Sequence, residues 1–233
     1  MPFADTLGQV LTNFIQDAVK NETSSPNYSY ILFEAAALTL TYCKQDQNAF
    51  ACVENHLTPA LNLIIEQNFT DFTGYAFQLY STFIANATEL KPNYQLLCQS
   101  ILENVNNWSK DMKYLIPALG IFVTTLICKF PDYITQRISQ ISQIVTHLLT
   151  SEIRQEQVAL KIGSAIFERI GVDLGDEGKF LKDVLFAIFG SLHFYRNNTK
   201  SKVIPLSIMR NVHSFFANIM ICHGSEVLIN ACN

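Results

Sequence analysis

The stretch Asp71 to Ala87, DFTGYAFQLYSTFIANA, decides how the chain is read. Its large apolar residues are Phe72, Tyr75, Ala76, Leu79, Tyr80, Phe83, Ile84 and Ala87, the i, i+3, i+4, i+7 recurrence of a helix with one wide apolar stripe. A strand would instead alternate every second residue. Asp71 or Thr70 is placed to cap the first turn, and the carboxylate suits the positive end of the helix dipole. Gly74, Gln78, Ser81, Thr82 and Asn86 fall on the other side. A helix of this length is marginal alone in water, so other segments must cover the stripe.

Similar stripes recur on both sides. Before it, Phe3, Leu7, Val10, Leu11, Phe14, Ile15 and Ala18 share one face. Ser25-Pro26 then gives a helix start, with a capping hydroxyl and proline at the first helical position. The helix from Asn27 to Lys44 is apolar on nearly every side, which predicts an inner helix packed all round. A short helical piece follows Asp46, and Thr58-Pro59 restarts it, with Leu57, Leu61, Ile64 and Ile65 inward. After the stretch come Tyr94, Leu97, Cys98, Ile101, Leu102 and Val105. Residues 112–129 follow, with a break or kink expected at Pro117. Tyr133 to Leu149 reads as one helix and residues 151–170 as another, closed by Gly171. Phe180, Val184, Leu185, Ile188, Phe189 and Leu192 mark the next. Ile208, Val212, Phe215, Phe216, Ile219 and Met220 mark the last full helix.

No segment sustains period-two alternation, so the expected fold class is all-α. Helix starts fall near residues 3, 26, 47, 71, 92, 112, 131, 151, 179, 205 and 224, about twenty residues apart. Two helices with their turns make a unit of about forty residues, the length of a HEAT or armadillo repeat. A pair cannot bury its stripes alone and must stack on the next pair. The expectation is an α-solenoid of about five antiparallel helix pairs, continuous over residues 1–233, with a single globular bundle as the alternative.

Composition agrees with a folded chain: nearly half of the 233 residues are apolar and charged residues make up 15 %. Residues 1–108 carry a net charge of −7 and residues 109–233 carry +3. No dense basic stripe is present, which speaks against nucleic-acid binding. The most membrane-like run, Tyr114 to Cys128, falls short of the ~20 residues that cross a bilayer and reads as a buried helix. The six cysteines lie mostly in apolar helical runs, where a free thiol acts as a small hydrophobe. With no C-x-x-C and no signal-peptide pattern, the six Asn-x-Ser/Thr sequons read as chance in a reduced, cytosolic or nuclear chain.

The chain offers no nucleophile elbow and no H-E-x-x-H motif. The five histidines stand apart in sequence, with His147 and His193 on or beside apolar faces. Cys222, His223 and Cys232 lack a fourth ligand and the usual close spacing. Gly171, Gly175 and Gly178 follow a helix and form no phosphate loop; Asp173, Asp176 and Glu177 miss the EF-hand positions and read as a solvated turn. Glu152 and Glu156, i and i+4, read as a repelling surface pair. The expectation is no catalytic residue, no cofactor and no metal, and hence a surface that binds proteins.

Three runs carry a resemblance: NYSYILFEAAALTLTYC (Asn27 to Cys43), QNFTDFTGYAFQLYSTFI (Gln67 to Ile84) and IPALGIFVTTLI (Ile116 to Ile127). Within them, Tyr30-Ile31-Leu32-Phe33-Glu34-Ala35 and the core of Phe72, Tyr75, Phe77 and Gln78 are the most specific pieces. In order and spacing they resemble consecutive HEAT repeats of the CAS family, the importin-α re-exporters of the importin-β (karyopherin) superfamily. The resemblance runs the whole length and weakens after Gly171. It implies a segment from the C-terminal half of a longer receptor, itself monomeric and not inserted in a membrane. That receptor is a ring- or spiral-shaped superhelix that binds importin-α with Ran-GTP in the nucleus and releases both in the cytoplasm after Ran hydrolyses GTP. The earlier repeats, which in the family make the main Ran-GTP contacts, lie outside the resemblance. Arg196, Lys200 and Lys202, in a basic loop between helices, are the expected charged partner contacts. The competing readings are another HEAT scaffold or karyopherin with a different cargo, and a helical lipid-binding or enzymatic module built round a closed apolar pocket.

Overall fold

A computed structural model describes residues 2–21, 25–103, 108, 112–151, 155–171, 179–198 and 203–232. Among them are twelve helices and no strand. They form two compact units, residues 1–88 and 89–233.

The first unit holds α1 (Pro2–Lys20), α2 (Pro26–Cys43), α3 (Gln47–Glu66) and α4 (Thr70–Asn86). Short loops turn the chain back after each helix, which makes sequence neighbours pack as hairpins. The most extensive packing is nevertheless between α1 and α3, with α2 beside α4, so each hairpin lies on the next. This is how a HEAT-type stack hides stripes that one pair leaves open. Asp46 caps α3 by accepting from the backbone N–H groups of Asn48 and Ala49 at 3.0 and 3.2 Å.

The second unit holds α5 (Pro92–Glu103), α6 (Ile116–Lys129), α7 (Pro131–Thr135), α8 (Ile138–Thr150), α9 (Glu156–Arg169), α10 (Lys179–Asn198), α11 (Leu206–His223) and α12 (Ser225–Cys232). One row runs α6, α9, α11 and the other α5, α8, α10, α12, with α8 packed on α9 and α11 on α12 between rows. The all-α solenoid architecture of paired helices is therefore present. No single helix among the described residues is long and apolar enough to cross a membrane, and α6 buries Ile116, Leu119, Phe122, Val123, Leu126 and Ile127.

Several local expectations are corrected. Pro59 does not restart a helix; it sits inside an unbroken α3. The carbonyl it strands is that of Asn55, and both residues are exposed, so water satisfies the orphan. Of the break or kink expected at Pro117, the structure has the break: residues 112–115 are not α-helical, α6 begins at Ile116, and Pro117 occupies its first turn, where its missing N–H costs nothing. The Tyr133–Leu149 helix is two: Gln136 and Arg137 form a turn between α7 and α8, and the Arg137 guanidinium lies 3.8 Å from the Tyr133 ring centroid. The cap of α4 is Phe69, preceded by Asn68 at φ 53°, and neither Thr70 nor Asp71 caps it; Ser25 likewise precedes α2 without a side-chain cap bond.

The largest correction concerns α2. It buries Ser29, Leu32, Phe33, Ala36 and Leu40, yet its opposite face carries Tyr28, Ile31, Ala35, Leu38 and Tyr42 at alternating steps of three and four. Ile31 is 62 % exposed and Tyr42 81 %. The neighbours of α2 reach only about half of its circumference, so it is not enclosed. Phe3, Val10 and Phe14 of α1 are exposed as well.

One close approach fixes α6 against α9. A Cβ on Gly120 would stand 2.3 Å from Cγ1 of Val158, a β-branched residue with little freedom on a helix. Replacing Gly120 with alanine gains about 1 kcal/mol of helix propensity but incurs an overpacking cost of about 1–3 kcal/mol. In thermal denaturation we expect Gly120→Ala to destabilise the wild type and to stabilise the Val158→Ala background. An equal effect in both backgrounds would remove the contact as the cause.

Candidate interaction surface

The predicted basic contacts lie at and beyond the end of α10. Arg196 is exposed in the last turn, where the negative helix end favours a cation, and it has no ion-pair partner among the described residues. Lys200 and Lys202 lie outside the described residues.

That end of α10 is anchored from below. Tyr195 Oη donates to Glu156 Oε1 at 2.9 Å, and Ser191 Oγ donates to the same oxygen at 3.2 Å. Glu156 is buried in the first turn of α9, where the helix dipole favours its charge. It is therefore an inter-helix acceptor and not half of a repelling surface pair; Glu152 lies outside the described residues. Helical spacing alone placed it outside, because the donors come from residues 35 and 39 positions away. Glu156→Ala should cost about 1–3 kcal/mol in urea denaturation, since it strands the buried Ser191 hydroxyl. Glu156→Gln, which keeps an acceptor, should cost less.

The histidines are not all isolated. His56 Nε2 lies 2.8 Å from Asp5 Oδ1, and Cys52 Sγ lies 3.8 Å from the same oxygen. The His56 hydrogen bond holds the Asp5 carboxyl below the usual carboxylate range. The C-x-x-x-H step from Cys52 to His56 was a readable signal, but its third member is 47 residues from Cys52. His223 Nε2 meets the Phe167 carbonyl at 2.6 Å, and Cys222 is exposed; the Cys232 side chain lies outside the described residues. His193 is exposed and paired with Asn197 at 2.7 Å, whereas Nε2 of half-buried His147 has no hydrogen-bond partner among the described residues. Gly175, Gly178, Asp173, Asp176 and Glu177 lie outside the described residues.

Cysteine burial also differs from expectation. Of Cys43, Cys52, Cys98, Cys128 and Cys222, Cys98 is the buried one, and burial pushes its thiol up to about 12. Cys43 and Cys52 are half-buried, and Cys128 and Cys222 exposed, all free. A cleft between Val19, Pro26, Phe69, Phe72 and Tyr75 measures about 600 Å³, with Asp71 the one charged wall residue among the described residues.

Among the described residues the helices stack as pairs, and the exposed Arg196 stands at the end of α10. Across its whole length, residues 1–233, the chain matches the family model described as CAS/CSE protein, C-terminus. The chain belongs to the CAS/CSE family. Among curated relatives, the importin-alpha re-exporter of Schizosaccharomyces pombe is 30 % identical over 135 residues, covering 57 % of this chain and 14 % of that protein. Exportin-2 of Drosophila melanogaster is 32 % identical over 85 residues, covering 36 % of this chain and 9 % of that protein. Exportin-2 of Xenopus laevis is 28 % identical over 90 residues, again 9 % of its length. The CAS/CSE chain thus spans a small part of the curated relatives it matches. No solved structure matches it.

Proposed function

We propose that this chain is a segment of a karyopherin-type nuclear export receptor, one that binds importin-α together with Ran-GTP and carries importin-α from nucleus to cytoplasm. The observation that carries this reading is the family match over all 233 residues. The Schizosaccharomyces pombe relative, an importin-alpha re-exporter, supports the cargo. On this reading the segment is a binding surface and not an enzyme, residues 1–233 act as one continuous HEAT-repeat stretch, and the receptor shuttles through nuclear pores.

Arg196, Lys200 and Lys202 supply the charged contacts at the end of α10 and the loop after it. Cations on a rim of this kind act mainly on encounter with an acidic partner surface. Reversing all three to glutamate in the intact receptor should slow complex assembly several-fold at low ionic strength, with the difference shrinking as salt screens it. An unchanged association rate at low salt would remove them from the interface.

The decisive experiment is capture of importin-α by the intact receptor with GTP-loaded Ran present, against GDP-loaded Ran as the comparison. Binding only with the GTP form is expected. Importin-α left in solution under both conditions, or a different dominant cargo retained in its place, would overturn the assignment in favour of another scaffold.

A further inference from the structure

Cys52 and His56 lie one helical turn apart on α3, so their side chains share a face, and Asp5 reaches them from the packed helix α1. One ligand atom from each lies within 4.8 Å of the other two. Around a tetrahedral zinc ion, bonds of 2.0–2.3 Å separate nitrogen from oxygen by about 3.4 Å and sulfur from oxygen by about 3.6 Å. The 3.8 Å from Cys52 Sγ to Asp5 Oδ1 already matches that spacing. The 2.8 Å from His56 Nε2 to Asp5 Oδ1 is a hydrogen bond, and an ion replacing its proton has to widen it by about 0.6 Å. Asp5 is exposed, so its carboxylate has room to turn that far.

The surroundings hold the imidazole in place. A Cβ on Gly8 would come within 3.0 Å of His56 Cδ2, so glycine at this point of α1 lets the ring lie against the helix. Thr12 Oγ1 donates to the His56 carbonyl at 2.8 Å, tying that turn of α3 to α1.

We propose that Asp5, Cys52 and His56 form a binding site for one divalent transition-metal ion of the zinc class, with water in the fourth position, bridging α1 and α3. One thiolate, one imidazole and one carboxylate suit zinc, whereas magnesium and calcium favour oxygen donors only. Binding converts the Cys52 thiol to a metal thiolate, and the proton goes to solvent. Because two helices contribute, the bound ion stabilises their packing by linkage.

Cobalt(II) tests this directly, since a thiolate ligand produces a sulfur-to-cobalt charge-transfer band. In the full chain, one equivalent of cobalt should give that band, one equivalent of zinc should abolish it, and either ion should raise Tm. Cys52→Ala should lose the band, and Asp5→Asn and His56→Gln should weaken binding by at least about tenfold. Cys43→Ala, a thiol near Cys52 but outside the set, should keep it. Circular dichroism checks that each variant folds; Asp5→Asn, on the exposed surface, decides the matter if Cys52→Ala does not. Absence of the band, its survival in Cys52→Ala, or unchanged affinity in Asp5→Asn would overturn the site.

Discussion

Replacing Phe83 with alanine should cost the first unit about 3–5 kcal/mol, the range for deleting a fully buried phenylalanine. Phe83 has no exposed surface and lies edge-on to two rings, Phe50 of α3 at 6.3 Å and Tyr80 of its own helix at 5.7 Å. Tyr80 is itself held by hydrogen bonds from its hydroxyl to Asn62 Oδ1 and, at 3.5 Å, to the Thr58 carbonyl, so it cannot slide into the space left behind. Burial pushes its phenol well above the usual range, so it remains a hydrogen-bond donor. The cavity therefore stays open and the loss falls at the upper end. Urea denaturation followed by far-UV circular dichroism measures it. Gln78→Ala, on the exposed face of α4, should stay within about 0.5 kcal/mol of wild type. Similar losses for both variants would show that Phe83 is not the centre of that packing.

In the second unit, Phe167→Ala should have an effect of the same order, about 3–5 kcal/mol. The ring is 1 % exposed and meets Phe180 of α10 at 5.4 Å and Phe215 of α11 at 5.6 Å. Aromatic pairs of this geometry add about 0.5–1.5 kcal/mol each beyond area burial, and alanine removes both. Gly163, one turn earlier, gives Phe215 its place: a Cβ there would lie 3.1 Å from the ring. Trp108, the single tryptophan of the chain, is fully buried in the same unit, so its emission reports unfolding there. The Phe167→Ala midpoint in urea should drop sharply, while Lys161→Ala, exposed on the same helix, should leave it unchanged within about 0.5 kcal/mol. A Phe167→Ala midpoint equal to wild type would mean that the three helices are not joined through that ring.

Helix existence was legible because its signals are local. The starts expected at 26, 47, 92, 131 and 179 coincide with those observed, each marked by a proline, a capping aspartate or the return of a stripe. The prolines divide by position. Pro26, Pro92 and Pro131 open helices, at starts expected near 26, 92 and 131, while Pro59 is tolerated mid-helix because the carbonyl it strands faces water. Helix sides were less legible. Periodicity puts Ser81 on the wet side of α4, but it is buried and donates to the Phe77 carbonyl at 2.7 Å, which lets a polar residue sit in a second apolar contact. Periodicity likewise puts Phe189 on the inner stripe of α10, and it is half exposed.

The sequence by itself determined that the fold of the described residues is all-α, that its helices come in pairs, and that its order of runs is that of the CAS/CSE family. Period and punctuation suffice for that, since each is set within about a turn of the residue that carries it. Only the tertiary structure decided that α2 keeps an apolar face in water, that Glu156 is an interior acceptor, and that Asp5 stands beside Cys52 and His56. Those outcomes depend on which neighbour covers which face. A helix that is apolar or polar on two sides does not specify its partner locally, so the choice rests on contacts between residues 35 to 51 positions apart.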